Sequence, residues 1–122
     1  MNHSHRKLDV WKRAMNLVRS IYTLTAAFPL EERYGLSGQM RRAAVSVPSN
    51  IAEGAGRETP KEFIRYLYIA RGSLAELETQ LLIANDLNYT AESGPLQEKI
   101  DEVSAPLNGL INHLKRKEKR KE

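Results

Sequence analysis

Three histidines, His3, His5 and His113, are the side chains of this 122-residue sequence that ordinarily titrate near neutral pH. None sits in a pattern that catalysis requires. A hydrolase triad needs a histidine beside a nucleophile on a sharp turn, and no such turn adjoins any of the three. A di-iron helical site needs inward Glu residues and Glu-x-x-His pairs, yet the residue three before His113 is Leu110. His3-Ser4-His5 offers two ligands on a loose terminus, too few for a stable metal site. Cysteine is absent, which excludes disulfides, thiolate metal centres and cysteine nucleophiles. Gly54-Ala55-Gly56 is half of a dinucleotide fingerprint, but Thr59 stands where the third glycine belongs and a helical pattern precedes it. No GxxxxGK phosphate loop occurs. Neither an enzyme activity nor a cofactor or metal is expected.

Charge is the remaining chemistry, and it is segregated. The formal charge is +4, from 19 basic and 15 acidic residues. Residues 1–72 hold 12 basic and 6 acidic side chains, residues 73–114 hold Lys99 against 7 acids, and residues 115–122 hold 6 basic and 2 acidic ones. The Lys115–Glu122 tail reads either as a solvated helix end or as a contact for nucleic acid or another polyanion.

A hydrophobic fraction of 41% beside 28% charged residues suits a soluble globular chain rather than a disordered one, and the length suits one domain, 1–122. No apolar run approaches the ~20 residues of a membrane helix. Met1 to Lys7 lacks the apolar stretch of a signal peptide, so a cytoplasmic location is expected.

Apolar spacing is helical almost throughout. Over 8–28, Leu8, Trp11, Met15, Val18, Tyr22 and Thr25 form one row, with Ala14, Leu17, Ile21, Leu24 and Phe28 beside it. Pro29 closes this helix. Leu36, Met40, Ala43, Val47 and Ile51 line a second helix over 36–56, ended by Gly54 and Gly56 as left-handed caps. Thr59, Pro60 and Glu62 spell a capping box that starts a third helix over 60–88. Its seam, Phe63, Leu67, Ala70, Leu74, Leu77, Leu81 and Ala84, steps alternately four and three residues. A fourth helix over 94–116 carries Leu96, Ile100, Val103, Leu107, Leu110 and Leu114. Pro48 and Pro106 fall inside helices and predict a kink or local break. Short connections make an all-α, antiparallel up-down-up-down four-helix bundle the economical fold. Extra apolar residues on the third helix, Ile64, Tyr68, Ala75 and Leu82, leave open a wide core stripe or burial between subunits.

Antiparallel order gathers cations at one pole. Arg6, Lys7, Lys12, Arg13, Arg57, Lys61 and Arg65 meet Lys115, Arg116, Lys117, Lys119, Arg120 and Lys121 there. The expected ligand is RNA or DNA phosphate, bound without a sequence-reading module. A polar group on the second helix, Arg42, Ser46, Ser49, Asn50 and Glu53, with Arg57 one turn on, has two readings. It satisfies backbone freed near Pro48 and pairs charges, or it touches a ligand or a neighbouring subunit.

Tyr34-Gly35-Leu36, Gln39-Met40-Arg41-Arg42-Ala43-Ala44, Ser46-Val47-Pro48-Ser49-Asn50-Ile51-Ala52-Glu53-Gly54 and Ile69-Ala70-Arg71-Gly72-Ser73-Leu74-Ala75-Glu76-Leu77-Glu78 together carry a resemblance. From about Leu8 to Tyr89 the sequence resembles the four-helix-bundle proteins encoded in intervening sequences of 23S ribosomal RNA genes. The resemblance implies an antiparallel bundle and a ring-like homo-oligomer, a pentamer. In a related branch, the accessory protein of diversity-generating retroelements, a basic pentameric barrel associates with a reverse transcriptase and nucleic acid. Arg41, Arg42, Ser49, Asn50, Glu53 and Arg57 fall in the shared block without an assigned chemistry, and the Lys115–Glu122 tail lies outside it. A non-enzymatic nucleic-acid-binding bundle is the first functional reading; an oligomeric protein scaffold or accessory subunit is the second.

Overall fold

The structure is a computed structural model and describes residues 4–120. Among these residues it contains four α-helices, α1 (Asp9–Ala26), α2 (Leu36–Ala55), α3 (Pro60–Asp86) and α4 (Ser93–Arg120). Two 3-10 turns, Ser4–Lys7 and Leu30–Glu32, precede α1 and α2, and the described residues hold no strand. This all-α architecture is compatible with a four-helix bundle. Helix α1 packs on α2 and α4, and α3 packs on α2 and α4. No helix among the described residues is long and apolar enough to cross a membrane.

The core is one apolar cluster drawn from all four helices. In α1 it takes Val10, Ala14, Leu17 and Ile21, with Phe28 just beyond the helix. The row Trp11, Met15 and Val18 is therefore only half-buried, and Tyr22 is exposed. Two adjacent apolar rows differ by about one residue's rotation of 100°, so only the neighbouring helices decide between them. The same holds in α4, where Ile111 enters the core and Leu110 stays at its edge.

The helix ends have local causes. Before Pro29, Ala27 and Phe28 donate to Leu24 and Thr25 in 3-10 fashion, which stops α1 at Ala26. Thr59 Oγ1 accepts from the Glu62 amide at 3.2 Å and Pro60 sits in the first turn of α3. The capping box is half-made, because the Glu62 carboxylate turns to Arg65 at 3.7 Å. At the far end of α3, Asn88 takes φ 61°, Tyr89 N donates to Ala84 O and Asn88 N to Asn85 O. That is a Schellman cap with asparagine in the left-handed position.

The glycines that end α2 act differently from the expected left-handed caps. Gly56 has φ −85°, and Gly54 stays helical and buried. A Cβ on Gly54 would lie 2.9 Å from both Phe63 Cδ1 and Tyr66 Cβ. Gly54 thus lets α3 approach the end of α2 closely. Neither Pro48 nor Pro106 breaks its helix. The last helix also runs past the expected residue 116 to Arg120, so most of the basic tail continues the rod. Lys, Arg and Glu are good helix formers, which explains a helix without apolar periodicity there.

Candidate nucleic-acid interface

Two tyrosines organise the cations near the start of α3. Arg57, just past α2, donates to Glu53 Oε1 at 2.6 Å and to the Tyr66 hydroxyl at 2.7 Å, with its guanidinium 4.9 Å from the Tyr66 ring centre. Arg65 sits 5.7 Å from the same ring. Tyr68, two residues on, turns towards α4. Arg71 lies 4.7 Å and Lys115 5.2 Å from its ring centre, and Arg71 Nη1 donates to Asn108 Oδ1 at 3.2 Å. Stacking of this kind contributes about 0.5–1 kcal/mol at exposed sites and fixes where the cation sits.

The predicted cations then fall into two groups. Arg13, Arg57 and Arg65 are each within 4 Å of a carboxylate on their own turn, Asp9, Glu53 and Glu62. These pairs are exposed and contribute about 0.2–1 kcal/mol each. Lys12, Lys61, Lys115, Arg116, Lys117, Lys119 and Arg120 are exposed and make no ion pair among the described residues. Lys115, Arg116 and Lys119 line one shallow hollow with Glu118. Lys117, Lys119 and Arg120 occupy the last turn of α4, where cations complement the helix dipole. At the start of α1, Arg6 and Lys7 are exposed on the 3-10 turn and Lys12 and Arg13 on the first turns. Lys121, also expected at this pole, and His3 lie outside the described residues.

The polar patch expected on α2 divides into separate structural contacts. Arg41 reaches back to α1, where Nε donates to Thr25 Oγ1 at 2.8 Å and Nη2 to Tyr22 O at 3.3 Å. Its guanidinium stacks 4.5 Å from the Tyr22 ring centre, so one arginine clamps the carboxyl end of α1. Ser46 Oγ lies 2.8 Å from Ser73 Oγ across the α2–α3 seam, and Asn50 Nδ2 donates to Ser46 O at 2.8 Å and to Ser46 Oγ at 3.0 Å. The carbonyl that loses its helical donor to Pro48 is that of Ala44, so Asn50 serves the neighbouring turn rather than the freed group. Glu53 is exposed and belongs to Arg57, not to a buried pair. Ser49 is exposed and joins Trp11, Met15, Val18, Val45, Pro48 and Ala52 around a mostly apolar hollow of about 340 Å³ between α1 and α2. Arg42 is exposed on its own.

Sequence reasoning missed Tyr66, Tyr68 and Arg71 at the basic surface. The available signal was the spacing of Arg65 next to Tyr66 and of Tyr68 three before Arg71, which shares a helix face. It also missed the contact that ties the α1–α2 loop to the α3–α4 loop. Tyr89 donates from its hydroxyl to Glu32 Oε2 at 2.8 Å, and Leu36 N donates to Glu32 Oε1 at 3.0 Å. The Leu36 amide first, and the Tyr89 hydroxyl second, hold the Glu32 carboxyl below its ordinary value. The bond to Glu32, with some burial, pushes Tyr89 up. Among the described residues no group of three His, Asp or Glu side chains is placed to hold a metal ion.

An all-α chain whose four helices share one core, with a serine and glycine seam between α2 and α3 and a cationic last helix, is compatible with the helical-bundle class. Residues 6–109 match the family model of the 23S rRNA-intervening sequence proteins, and the chain belongs to that family. The match stops before Lys115, so the cationic end of α4 lies beyond it. No curated protein matches the chain.

Proposed function

We propose that this protein is a non-enzymatic bundle that binds RNA or DNA phosphates through the end of α4, supported by the Arg57–Arg65 corner. The carrying observation is that α4 continues to Arg120 with Lys115, Arg116, Lys117, Lys119 and Arg120 exposed and unpaired among the described residues. Cations without ion pairs of their own can replace condensed counterions on phosphates without first breaking such pairs. Tyr66 and Tyr68 already carry cations on their rings, which favours backbone contact over base stacking.

The proposal takes the four helices as an antiparallel up-down-up-down bundle. In support, contacts between α3 and α4 pair Asn85 with Ser93, Glu78 with Gln97, Arg71 with Asn108 and Tyr68 with Lys115, so one number falls as the other rises. Between α2 and α3, Ser46 pairs with Ser73 and Arg57 with Tyr66. That order sets the start of α3 beside the end of α4. The test is a mobility shift of labelled RNA and DNA at two salt concentrations. Binding at low salt that collapses at high salt is expected; no shift at low salt refutes the reading.

A second reading is favoured by the apolar hollow between α1 and α2 and by Ile69, Leu82 and Ile83, which are exposed on α3. In it the chain assembles as a homo-oligomer, the pentameric ring its family resemblance implies, and serves as a scaffold for a protein partner such as a reverse transcriptase. Light scattering after size exclusion separates the two, since a monomer that still shifts nucleic acid leaves only the first.

A further inference from the structure

The outward face of α4 carries its charges in an order that its own copy can match. Glu98, Glu102, Ala105, Gly109, Asn112, Arg116 and Arg120 are all exposed, and their spacing of four, three, four, three, four and four keeps them on one face of the helix. The two acids precede Gly109 by seven and eleven residues, and the two arginines follow it by seven and eleven. Seven and eleven residues are about two and three whole turns at 3.6 residues per turn, so all five positions share one side. Asp101 and Lys119, also exposed, lie along the α3 edge of that face at nearly equal distances from Gly109. Among the described residues none of these six charges makes an ion pair within the chain. The acids and bases among these six are too far apart for that: Glu102 and Arg116 are about 21 Å apart, and Glu98 and Arg120 about 33 Å, at 1.5 Å per residue. A Cβ added to Gly109 would meet nothing within 4 Å, so the midpoint is open to a close neighbour.

We propose that α4 pairs with α4 of a second copy of this chain, antiparallel, about a two-fold axis at Gly109. A two-fold interface requires that if residue i meets j, then j meets i. The symmetric spacing satisfies this, because Glu98 meets Arg120 of the other copy, Glu102 meets Arg116, Asp101 meets Lys119, and each contact occurs twice. A parallel pairing sets like charges against each other, which gives the surface its polarity. Small residues at the centre, Gly109 and Ala105, let the two backbones approach. The pairing uses Arg116 and Arg120, so it competes with the phosphate contacts proposed above but does not depend on them. It also uses a face distinct from the α1–α2 hollow.

The chain has no cysteine, which permits a direct test. Gly109→Cys places a thiol at the axis, and Gly72→Cys, on an equally open and exposed glycine of α3, is the control. Mild oxidation at low salt is expected to link Gly109→Cys into a covalent dimer and to leave Gly72→Cys largely monomeric on non-reducing gels. Adding Glu98→Lys and Glu102→Lys to Gly109→Cys should abolish the link. Adding Arg116→Glu and Arg120→Glu as well should restore it, since the charges are then swapped but again complementary. The restored dimer also shows that the substituted chains fold. A Gly109→Cys link no stronger than that of Gly72→Cys, a link indifferent to the acid reversal, or a fourfold swap that stays monomeric each overturns the proposal. Loss of nucleic-acid binding in the mobility shift leaves these outcomes unaffected.

Discussion

The α2–α3 seam and the outward face of α4 use polar side chains in opposite ways. At the seam Ser46, Asn50, Ser73, Glu53, Arg57 and Tyr66 bond to one another over distances of 2.6–3.0 Å. On α4 the cations from Lys115 to Arg120 make no ion pair among the described residues. The seam holds the sequence block that carries the family resemblance, while the end of α4 lies beyond the matched residues 6–109. A distinctive motif can therefore be structural, and the surface with chemistry to offer can be compositionally plain. Substitutions at the uncharged seam residues, such as Ser46, Gly54 and Ser73, should move stability and leave polyanion affinity alone; substitutions of the α4 cations should do the reverse.

The largest stability effect is expected at Gly54. Valine there drives side-chain atoms into Phe63 and Tyr66, and overpacking of this kind costs about 1–3 kcal/mol. The midpoint of urea denaturation should fall accordingly with nucleic-acid affinity per folded molecule unchanged. Thr59→Ala removes the acceptor for the Glu62 amide and should cost ~1 kcal/mol in the same assay. Tyr89→Phe removes one of the two bonds on Glu32, and its signature is the pH profile. Because Glu32 is held below its ordinary 4.5, its contribution is present above that value and is lost as pH falls through the depressed one. Because Tyr89 is pushed above its ordinary 10.0, its contribution is present below that value and is lost as pH rises through the raised one. The stability gap between wild type and Tyr89→Phe should thus be flat between these limits and narrow at each end. The Leu36 amide, still bound to Glu32, preserves part of the acid limb in the variant. Smallest is Glu53→Gln: the Arg57 pair is exposed, so a change of about 0.2–1 kcal/mol is expected, and a larger loss on denaturation would mean the carboxylate does more than meet Arg57.

Much of the fold was readable because α3 and α4 repeat apolar residues at steps of three and four, and the Thr59–Pro60 start and the ends near Asn88 use residues with known cap geometry. What stayed hidden depended on neighbours. Helix α1 offers two apolar rows, and only packing against α2 and α4 chose Val10, Ala14, Leu17 and Ile21. Gly54 looked like a helix stop, whereas its reason is the approach of Phe63 and Tyr66 from another helix. The cations of α4 were visible as composition, but their continuation as an ordered rod to Arg120 was not, since no apolar repeat extends beyond Leu114. Arg41 was visible in the motif, yet its role as the clamp on Thr25 and Tyr22 needs residues sixteen and nineteen positions away.

The most direct test of the central claim is the salt dependence of affinity for a labelled duplex DNA, measured by fluorescence anisotropy. It compares wild type with the combined variant Lys115→Ala, Arg116→Ala, Lys119→Ala and Arg120→Ala. Alanine keeps α4 helical, so circular dichroism should be unchanged. Wild type should lose affinity steeply as salt rises, and the log–log slope should shrink by about 0.9 for each phosphate contact removed. Equal slopes for the two proteins, or no binding by wild type at low salt, would contradict the account.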